Sequence, residues 1–347
     1  MKHIARRQGP LRLFDEDKDR LVILFLAKHA LSGGVPDSED GTHAVYHHEM
    51  LQTLRTAGLF VSAADRYEQI WKRPEADFVV PLLNRGGFLN SEMLAPLILT
   101  RHGLPFLGAA PMLRGLSDDK HLMKTAARLR GVPVTDWAIV RRGQGKVEPP
   151  GFQWERLVVK PNASSASWGV RILDDWTEAK AHAGHILASG HDVILEPYAP
   201  LIDIAVPVVG ADGPWLLPPM AYFPDVPGMP RSYEEKRGLV EGPVAEGRED
   251  PLRIVDDPAL AGRLDSAVRA LLPELWPFDY GRFEFRYDPA TDKILFMEVN
   301  LSCNLWSKKT ISRSARTLGI GHARLVETIL AHSLLRQGVV KDVVRLY

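Results

Sequence analysis

Two glutamates and an asparagine in the last quarter of the chain have the residue types and spacing of a divalent-metal site. Glu298 and Asn300 are two residues apart in KILFMEVN, so on a β-strand their side chains point to the same face. If a five-residue loop at 289–293 closes a hairpin with the preceding RFEFRYD, Glu284 lies directly opposite Glu298 on that face. Oxygen ligands of this kind suit Mg²⁺ or Mn²⁺, and such a cation would remove the repulsion between the two carboxylates.

An ordinary solvated hairpin face is the competing interpretation, because strands often carry charge on one side. Arg282 lies two residues before Glu284 and points to the same side, where it can meet phosphate or carboxylate oxygens. The run KILFM is apolar right up to Glu298, which indicates that this carboxylate ends an interior strand. Since a buried acid is rarely left unpaired, the metal site is the favoured interpretation.

Two lysines have the chemistry of a polyphosphate site. Lys160 ends the apolar strand RLVVK, immediately before a loop of small residues whose backbone N–H groups can meet phosphate oxygens. Lys120 opens a predicted helix, where phosphate is stabilised, although taken alone it is more simply a surface lysine. The segment VVKPNASSASWGV lacks the G-x-x-x-x-G-K-[ST] pattern and is therefore not a Walker A loop.

Two acidic residues in DVILEPYAPLID could recognise a nucleoside. Glu196 ends a predicted strand and could accept the exocyclic amine of adenine, and Asp203 could hold ribose hydroxyls. For these two residues taken alone, an edge-strand acid and a loop acid remain the simpler interpretation.

The elements that would position these residues alternate between strands and helices. LVILFLA and DFVVPLLN are apolar runs typical of strands buried on both faces, and helical patterns follow each, which predicts a small parallel sheet. SDDKHLMKTAARLRG predicts a helix with Ser117 as its N-cap. RFEFRYDPATDKILFMEVN is the clearest hairpin. A long loop rich in proline and glycine, from about 223 to 251, is typical of a functional lid or a disordered segment.

Composition narrows the class of protein. The 347 residues allow two or three domains, and a formal net charge of zero gives no reason to expect nucleic acid or a membrane surface as partner. A single cysteine, Cys303, excludes an intrachain disulfide and favours a reducing compartment. The charged N-terminal segment has no signal-peptide core, and no apolar run approaches the ~18 residues of a membrane span. We therefore expect a cytoplasmic enzyme or a binding protein for small molecules.

In their order along the chain, these segments resemble the ATP-grasp superfamily and, within it, the D-alanine–D-alanine ligase group. The resemblance covers roughly residues 75–335, whereas residues 1–75 match only as a strand followed by a helix. Each motif is weak alone, and their common order and spacing carry the resemblance. The motifs are LPFLGAAPMLRGLSDDKHLMKTAARLRGVPVTDW, VVKPNASSASWGV, VILEPYAPLIDIAV, SYEEKR, GRFEFR and FMEVNLSCN.

The resemblance implies a mixed α/β (α+β) ATP-grasp fold with three subdomains, in which ATP is held between the central and C-terminal lobes. We expect an N-terminal α/β domain at 1–112, a central ATP-grasp lobe at 113–205 and a C-terminal ATP-grasp lobe at 206–347, with a mobile loop at 223–251. A homodimer is a further expectation, by analogy only.

The resemblance also assigns roles to residues. Those that would contact the phosphates, the adenine or the ribose of ATP are Lys120, Lys160, Glu196, Tyr198, Asp203 and Lys236, the last of which would reach the γ-phosphate. Arg282 would steady the phosphorylated intermediate. Glu284, Glu298 and Asn300 would bind two Mg²⁺ (or Mn²⁺) ions, although the group usually has aspartate at the position of Glu284.

The half of the site that binds amino acids departs from the group. D-alanine–D-alanine ligases carry a glutamate and a paired serine where this chain has Ser164, Ala166 and Ser167, and we place Ser167 among the candidate catalytic residues. Arg237 stands where the group has a tyrosine. The small turn after EVN is replaced by LSCNLWSKK, in which the candidate substrate residues are Ser302, Asn304 and Lys309.

The implied chemistry is ATP-dependent formation of an amide or peptide bond through an acyl phosphate. Because the ATP and metal half is kept and the amino-acid half is rewritten, we expect a substrate other than D-alanine, bulkier or more acidic, suited to Arg237 and Lys309. Two alternatives stay open. One is a true D-alanine–D-alanine ligase with a divergent pocket, and the other is a non-catalytic ATP-binding protein, which would have no need of a full metal set.

Overall fold

The computed structural model describes residues 8–36, 40–83, 91–164, 168–223 and 251–346. Fifteen strands lie in these ranges: β1 (Leu11–Arg12), β2 (Val22–Leu26), β3 (Phe60–Ala64), β4 (Phe78–Pro81), β5 (Ala138–Val140), β6 (Leu157–Pro161), β7 (Arg171–Leu173), β8 (Val193–Pro197), β9 (Ile202–Gly210), β10 (Pro214–Leu216), β11 (Met220–Tyr222), β12 (Leu252–Ile254), β13 (Tyr280–Asp288), β14 (Lys293–Asn300) and β15 (Val344–Arg345).

Ten α-helices lie in the same ranges, with a 3₁₀ turn at Ser91–Met93. They are α1 (Asp15–Arg20), α2 (His43–Thr56), α3 (Glu68–Trp71), α4 (Leu94–Arg101), α5 (Pro111–Asp118), α6 (Lys120–Leu129), α7 (Trp176–Ala188), α8 (Pro258–Leu275), α9 (Thr310–Thr317) and α10 (His322–Arg336).

The N-terminal sheet is parallel, in the order β3–β2–β4, as the apolar runs predict. Strand β2 shows why its sequence is apolar without alternation. Ile23 and Phe25 belong to one buried cluster, with residues of α2 and α10, whereas Leu24 and Leu26 belong to a second cluster with α4. Both faces of the strand are therefore covered, as is usual for a parallel sheet.

The central sheet is antiparallel, in the order β5–β8–β6–β7, and α7 covers one of its faces. Leu157 and Val159 of β6 pack in the core beneath α7. Since side chains alternate along a strand, Lys160 points to the opposite face, away from α7. This alternation places a lysine at the end of a strand that otherwise contributes to a core.

The C-terminal sheet has six strands, with the path β12–β11–β9–β13–β14 and β10 paired to β9. Val206 and Phe283 face a large apolar cluster that includes Leu264 and Leu271 of α8. The other face of β13 and β14 carries the charged and amide side chains. The apolar half of each strand thus fixes which way the polar half points.

The β13–β14 hairpin confirms the predicted pairing of Glu284 with Glu298. Its loop, 289–292, is one residue shorter than predicted, because Asp288 pairs with Lys293. A β-bulge next to Glu284 shifts the register by one residue and restores the expected alignment. The shorter loop and the bulge compensate for each other.

The predicted helix start at Ser117 is wrong. Ser117 lies inside α5, where its hydroxyl donates to the carbonyl of Arg114 at 2.9 Å. Helix α6 begins after Asp119, whose carboxylate accepts the backbone N–H of Leu122 at 2.9 Å. Serine and aspartate both cap helices well, and here Asp119 rather than Ser117 occupies the N-cap position.

One buried carboxylate joins three parts of the chain. Asp279 is fully buried and accepts hydrogen bonds from the backbone N–H of Gly108 at 2.7 Å and the hydroxyl of Ser333 at 2.6 Å. Arg336 of α10 donates to the other carboxylate oxygen at 3.0 Å. Burial raises the pKa of Asp279, and the charge of Arg336 opposes that shift without cancelling it. Within the ranges given above, no helix is long and apolar enough to cross a membrane.

Candidate functional site

The polar face of the β13–β14 hairpin holds the three residues predicted as metal ligands, together with Arg282. Glu284 lies opposite Glu298, and Arg282 lies opposite Asn300. The guanidinium Nε of Arg282 donates to Glu284 Oε1 at 2.8 Å. Burial alone would lower the pKa of Arg282, but the adjacent Glu284 carboxylate raises it overall, so the guanidinium stays charged.

Lys120, the first residue of helix α6, lies against this face. Its ammonium lies 3.3 Å from Glu298 Oε2 and donates to the carbonyl of Ser164 at 3.0 Å. The side chain is buried, so its interpretation as a surface lysine is wrong. Burial lowers the pKa of Lys120, but the charges of Glu298 and Asp118 raise it more. A charged ammonium therefore stands over one of the two opposed carboxylates.

A second cluster contains Lys160 and Glu196 and adds a lysine that sequence reasoning missed. Glu196 is 1% exposed, and Lys160 donates to its Oε2 at 3.0 Å. Lys124 lies 3.4 Å from Oε1 and donates to the hydroxyl of Thr135 at 2.7 Å. The spacing of Lys120 and Lys124, one helical turn apart in KHLMK, is the signal that could have found it.

In this cluster, pairing outweighs burial for the pKa of Glu196, whereas burial outweighs pairing for the pKa of Lys124. Burial would raise the pKa of Glu196, but Lys124 and Lys160 lower it overall, so the carboxylate is held ionised. Burial lowers the pKa of Lys124, and Glu196 offsets this only in part. The Glu196 carboxylate, expected to meet adenine, lies between two ammonium groups.

Of the two other residues predicted to contact the nucleotide, Tyr198 directly follows β8 and Asp203 lies in β9. Arg286 Nε lies 2.8 Å from Asp203 Oδ1, and the backbone N–H of Tyr198 donates to the carbonyl of Arg156 at 2.8 Å. The guanidinium of Arg156 also stacks over the Tyr198 ring, 5.0 Å from its centroid. A cleft of about 660 Å³ is lined there by Phe152, Gln153, Trp154, Glu155, Arg156, Pro197, Tyr198 and Pro200, none of which belongs to the two charged clusters.

The segment after Asn300 is held by polar contacts that the sequence did not reveal. Asn300 Oδ1 accepts the backbone N–H of Ser302 at 2.9 Å, and Ser302 Oγ accepts a hydrogen bond from Arg114 Nη1 at 2.6 Å. Arg114 is 2% exposed and packs under Gly108, where a Cβ would lie 2.2 Å from the guanidinium. Gly108 has φ of +121°, a conformation that also requires glycine.

Glu92 lies beside Ser302 and Arg114. Burial and then the negative charge of Asp118 raise the pKa of Glu92 to about 7, against the opposing effects of Arg114 and Ser302. Nothing in the local sequence indicates this contact, because Glu92 and Ser302 are far apart along the chain.

Comparison with known proteins agrees with this geometry. A D-alanine–D-alanine ligase from Desulfovibrio desulfuricans is 27% identical over 302 residues, which cover 85% of this chain and 88% of the relative. The structure of a D-alanine–D-alanine ligase from Bacillus anthracis complexed with ATP matches with a TM-score of 0.71 at 21% identity, over 92% of this chain and 99% of that one. The chain has an ATP-grasp fold of the D-alanine–D-alanine ligase type. No family model matches the sequence.

A solved structure whose name pairs D-alanine with D-serine also has this fold. The VanG D-Ala:D-Ser ligase from Enterococcus faecalis matches with a TM-score of 0.66 at 14% identity, over 90% of this chain and 99% of that one. Likenesses of this kind establish the ATP-grasp fold and its mixed α/β class, as the sequence predicts.

Within this ATP-grasp fold, the structure brings together part of the predicted site. Contacts join Lys120 to Glu298 and Lys160 to Glu196, and the charge of Glu196 contributes to the raised pKa of Lys120. Three predicted residues, Ser167, Lys236 and Arg237, lie outside the described residues, as do Ala166 and most of the loop at 223–251. Their roles stay predictions.

The candidate substrate residues of LSCNLWSKK are spread along one loop. Asn304 Oδ1 accepts the backbone N–H of Trp306 at 2.8 Å, which shapes the turn. The ammonium groups of Lys308 and Lys309 lie 5.3 and 5.9 Å from the Trp306 ring centroid. Trp306 itself is 7% exposed, so it anchors the loop in the core rather than filling a substrate pocket.

Proposed function

We propose that this protein is an ATP-dependent carboxylate–amine ligase that forms an amide or peptide bond through an acyl phosphate and releases ADP. The observation that carries the proposal is the pairing of Glu284 with Glu298 on a hairpin face that Arg282 and Lys120 also contact. This arrangement, in an ATP-grasp fold, suits a cluster of phosphate oxygens and cations. The D-alanine–D-alanine ligase names of the relatives support the same class of reaction.

Binding of ATP is proposed for the cluster at the junction of the central and C-terminal sheets. The ammonium groups of Lys120 and Lys160 are the charges available to phosphate oxygens, and Asp203 would hold the ribose. Glu196 would act by holding the ammonium groups of Lys124 and Lys160 in place, since its carboxylate already lies between them. The name of the Bacillus anthracis structure, which is a complex with ATP, supports this assignment.

The hairpin face also fits a divalent cation. The expectation that Glu298 is a buried acid on an interior strand is wrong, because β14 lies at the edge of its sheet. Glu284 and Glu298 are both partly exposed, so their oxygens are accessible, and Asn300 Oδ1 keeps a second lone pair beside the Ser302 N–H. In the described ranges no group of three His, Cys, Asp or Glu residues could hold a metal ion. Mg²⁺ suits a site with two carboxylates, because phosphate and water oxygens complete its shell, and it would supply charge neutralisation of the phosphates.

The proposed reaction has two displacements. A carboxylate oxygen of the donor attacks the γ-phosphorus of ATP, the bond to the β-phosphate oxygen breaks, and ADP leaves. The acceptor amine then attacks the acyl carbon, and phosphate departs with the donor oxygen as the amine loses a proton. Arg282 and Lys120 hold the transferred phosphoryl oxygens, so the protein contributes positioning and charge rather than a nucleophile.

We further propose an acceptor other than D-alanine. The loop LSCNLWSKK supports this through its charge, because Lys308 and Lys309 lie in it where the group has a small turn. The division into subdomains at 1–112, 113–205 and 206–347 is likewise a proposal. The relatives named as D-alanine–D-alanine ligases favour the second candidate function, a ligase that joins two D-alanines.

Release of ADP, measured with Mg²⁺ and ATP, tests these proposals. D-alanine alone is compared with pools of other D- and L-amino acids, and Glu298→Gln serves as the metal-site variant. We expect turnover with at least one pool, little with D-alanine, and a loss of about 100-fold or more in Glu298→Gln. Turnover with D-alanine alone would support the second candidate, and ATP binding without ADP release from any pool would support a non-catalytic ATP-binding protein.

A further inference from the structure

We propose that Glu49, on helix α2 of the N-terminal sheet unit, is a positioning residue for the acceptor. It acts by holding the segment 301–309, hereafter the acceptor loop, which follows the metal-face residue Asn300. This inference rests on the proposed function, because it concerns which part of that reaction Glu49 serves. It is based on a set of contacts between residues that are more than 250 positions apart in the sequence.

The Glu49 carboxylate accepts three hydrogen bonds from the acceptor loop. The indole N–H of Trp306 donates to Oε2 at 2.9 Å, the hydroxyl of Ser307 donates to Oε2 at 3.0 Å, and the backbone N–H of Ser307 donates to Oε1 at 3.0 Å. Hydrogen bonds to an ionised acceptor are about twice as strong as neutral ones. One carboxylate therefore fixes both the backbone and two side chains of the loop.

Tyr46, one turn earlier on α2, adds a second attachment. Its phenol oxygen accepts the backbone N–H of Leu305 at 3.1 Å, and its ring lies 6.4 Å from that of Trp306. Leu305 and Trp306 are both buried in the core that α2 shares with α10. Two adjacent backbone segments of the acceptor loop are thus tied to the same helix face.

Ser312, His322 and Glu49 are arranged like a serine–histidine–acid triad, but they do not form a catalytic one. His322 Nδ1 lies 3.1 Å from Ser312 Oγ, and Nε2 lies 3.4 Å from Glu49 Oε1. Ser312 is 1% exposed and donates to the carbonyl of Leu305 at 3.1 Å, so its hydroxyl is neither accessible nor free to attack. Because Ser312 contacts Leu305, the hydrogen bonds of Ser312 and His322 also hold the acceptor loop in place.

Loss of the Glu49 carboxylate should weaken binding of the acceptor more than binding of ATP. The acceptor loop carries Ser302, Asn304 and Lys309, whereas Lys120 and Lys160 are held by Glu298 and Glu196, outside the loop. Loss of the Glu49 carboxylate would leave the buried indole N–H of Trp306 without its acceptor, which is costly, so the loop would shift. The ATP half of the site would keep its contacts.

Hydrogen exchange tests the structural half of the proposal in the full-length protein. We expect peptides covering 301–309 to exchange about ten-fold faster in Glu49→Ala, with an intermediate effect in Glu49→Gln, which keeps one carbonyl acceptor. Trp306→Phe, which removes the indole N–H donor and part of the buried ring, should change exchange in the same direction. The control is Glu68→Ala, at an exposed carboxylate on α3. Unchanged exchange in Glu49→Ala would overturn the proposal.

Steady-state kinetics with the acceptor found by the ADP screen test the functional half. We expect Glu49→Ala to raise KM for the acceptor about ten-fold or more and to leave KM for ATP within about two-fold, with partial rescue in Glu49→Gln. Equal losses for ATP and acceptor, or wild-type constants despite faster exchange, would overturn a positioning role. If the wild type shows no turnover, the proposed function fails and the acceptor role with it, while exchange still decides whether Glu49 holds the loop.

Discussion

At the scale of single residues, the site is built from charges whose partners fix their protonation. Lys124, Glu196 and Lys160 form a buried triad in which the central carboxylate has a lowered pKa. Burying one charge without a partner is costly, so each member requires the others. The sequence revealed Lys160 and Glu196 because each ends an apolar strand. Lys124 was missed, although its one-turn spacing from Lys120 could have indicated it.

Glu92 gives a pH-dependent prediction. Its folded pKa of about 7 lies above the ordinary value of 4.5, so the folded state binds a proton more tightly than the unfolded state. The stabilisation from that proton is complete below pH 4.5 and is lost as pH rises through 7. We expect Glu92→Gln to flatten the fall in unfolding free energy between pH 4.5 and 7 by about 1–3 kcal/mol, measured by urea denaturation. Parallel profiles for both proteins would contradict this assignment.

At the scale of elements, the hairpin was the most predictable part of the site. A two-residue period and the turn DPATD were enough to place Glu284 opposite Glu298. The bulge beside Glu284 was not predictable, because it compensates for a loop length that the sequence leaves open. The pairing at Glu284 was therefore predicted correctly, whereas the pairing from Phe285 to Asp288 is shifted by one residue.

The contacts that sequence reasoning missed join distant elements. Arg114 and Ser302 are 188 positions apart, and Glu49 and Ser307 are 258 apart. Hydrophobic period and capping signals act over a few residues, so they predict elements and not the polar partners between elements. The wrong cap has a different, local cause, because SDD offers more than one side chain that can cap a helix and Asp119 does so.

Asp279 joins Gly108 and helix α10 to the start of β13, and a substitution that removes its charge tests how much this link stabilises the fold. Asp279→Asn keeps the size of the side chain but removes the ion pair with Arg336 and one acceptor. We expect a loss of about 1–3 kcal/mol in the free energy of unfolding, because the amide leaves buried donors without a full acceptor and the partly exposed Arg336 loses its ion pair.

Urea denaturation measures this loss, with Asp342→Asn as the matched control. Asp342 pairs with Arg345 at an exposed position, where solvent screens the ion pair and its contribution to stability is small. Similar stability changes in the two variants would contradict the structural role of Asp279.

At the scale of the whole molecule, the N- and C-terminal parts of the chain share one core. Phe25 of β2 and Met50 of α2 lie in the same buried cluster as Ile329 and Leu334 of α10. Strand β1 also pairs with β15, which brings both ends of the described chain together. The acceptor loop therefore lies between an N-terminal helix and the C-terminal sheet, while the charged clusters lie between the central and C-terminal sheets.

The central claim is that a donor carboxylate is activated by phosphoryl transfer, and an oxygen-isotope experiment tests it most directly. The donor found by the ADP screen is labelled with ¹⁸O in its carboxylate, and phosphate released during turnover is examined by mass spectrometry. An acyl phosphate transfers one donor oxygen to each phosphate, so we expect one ¹⁸O atom per phosphate released. Unlabelled phosphate, or AMP and pyrophosphate in place of ADP and phosphate, would contradict the account.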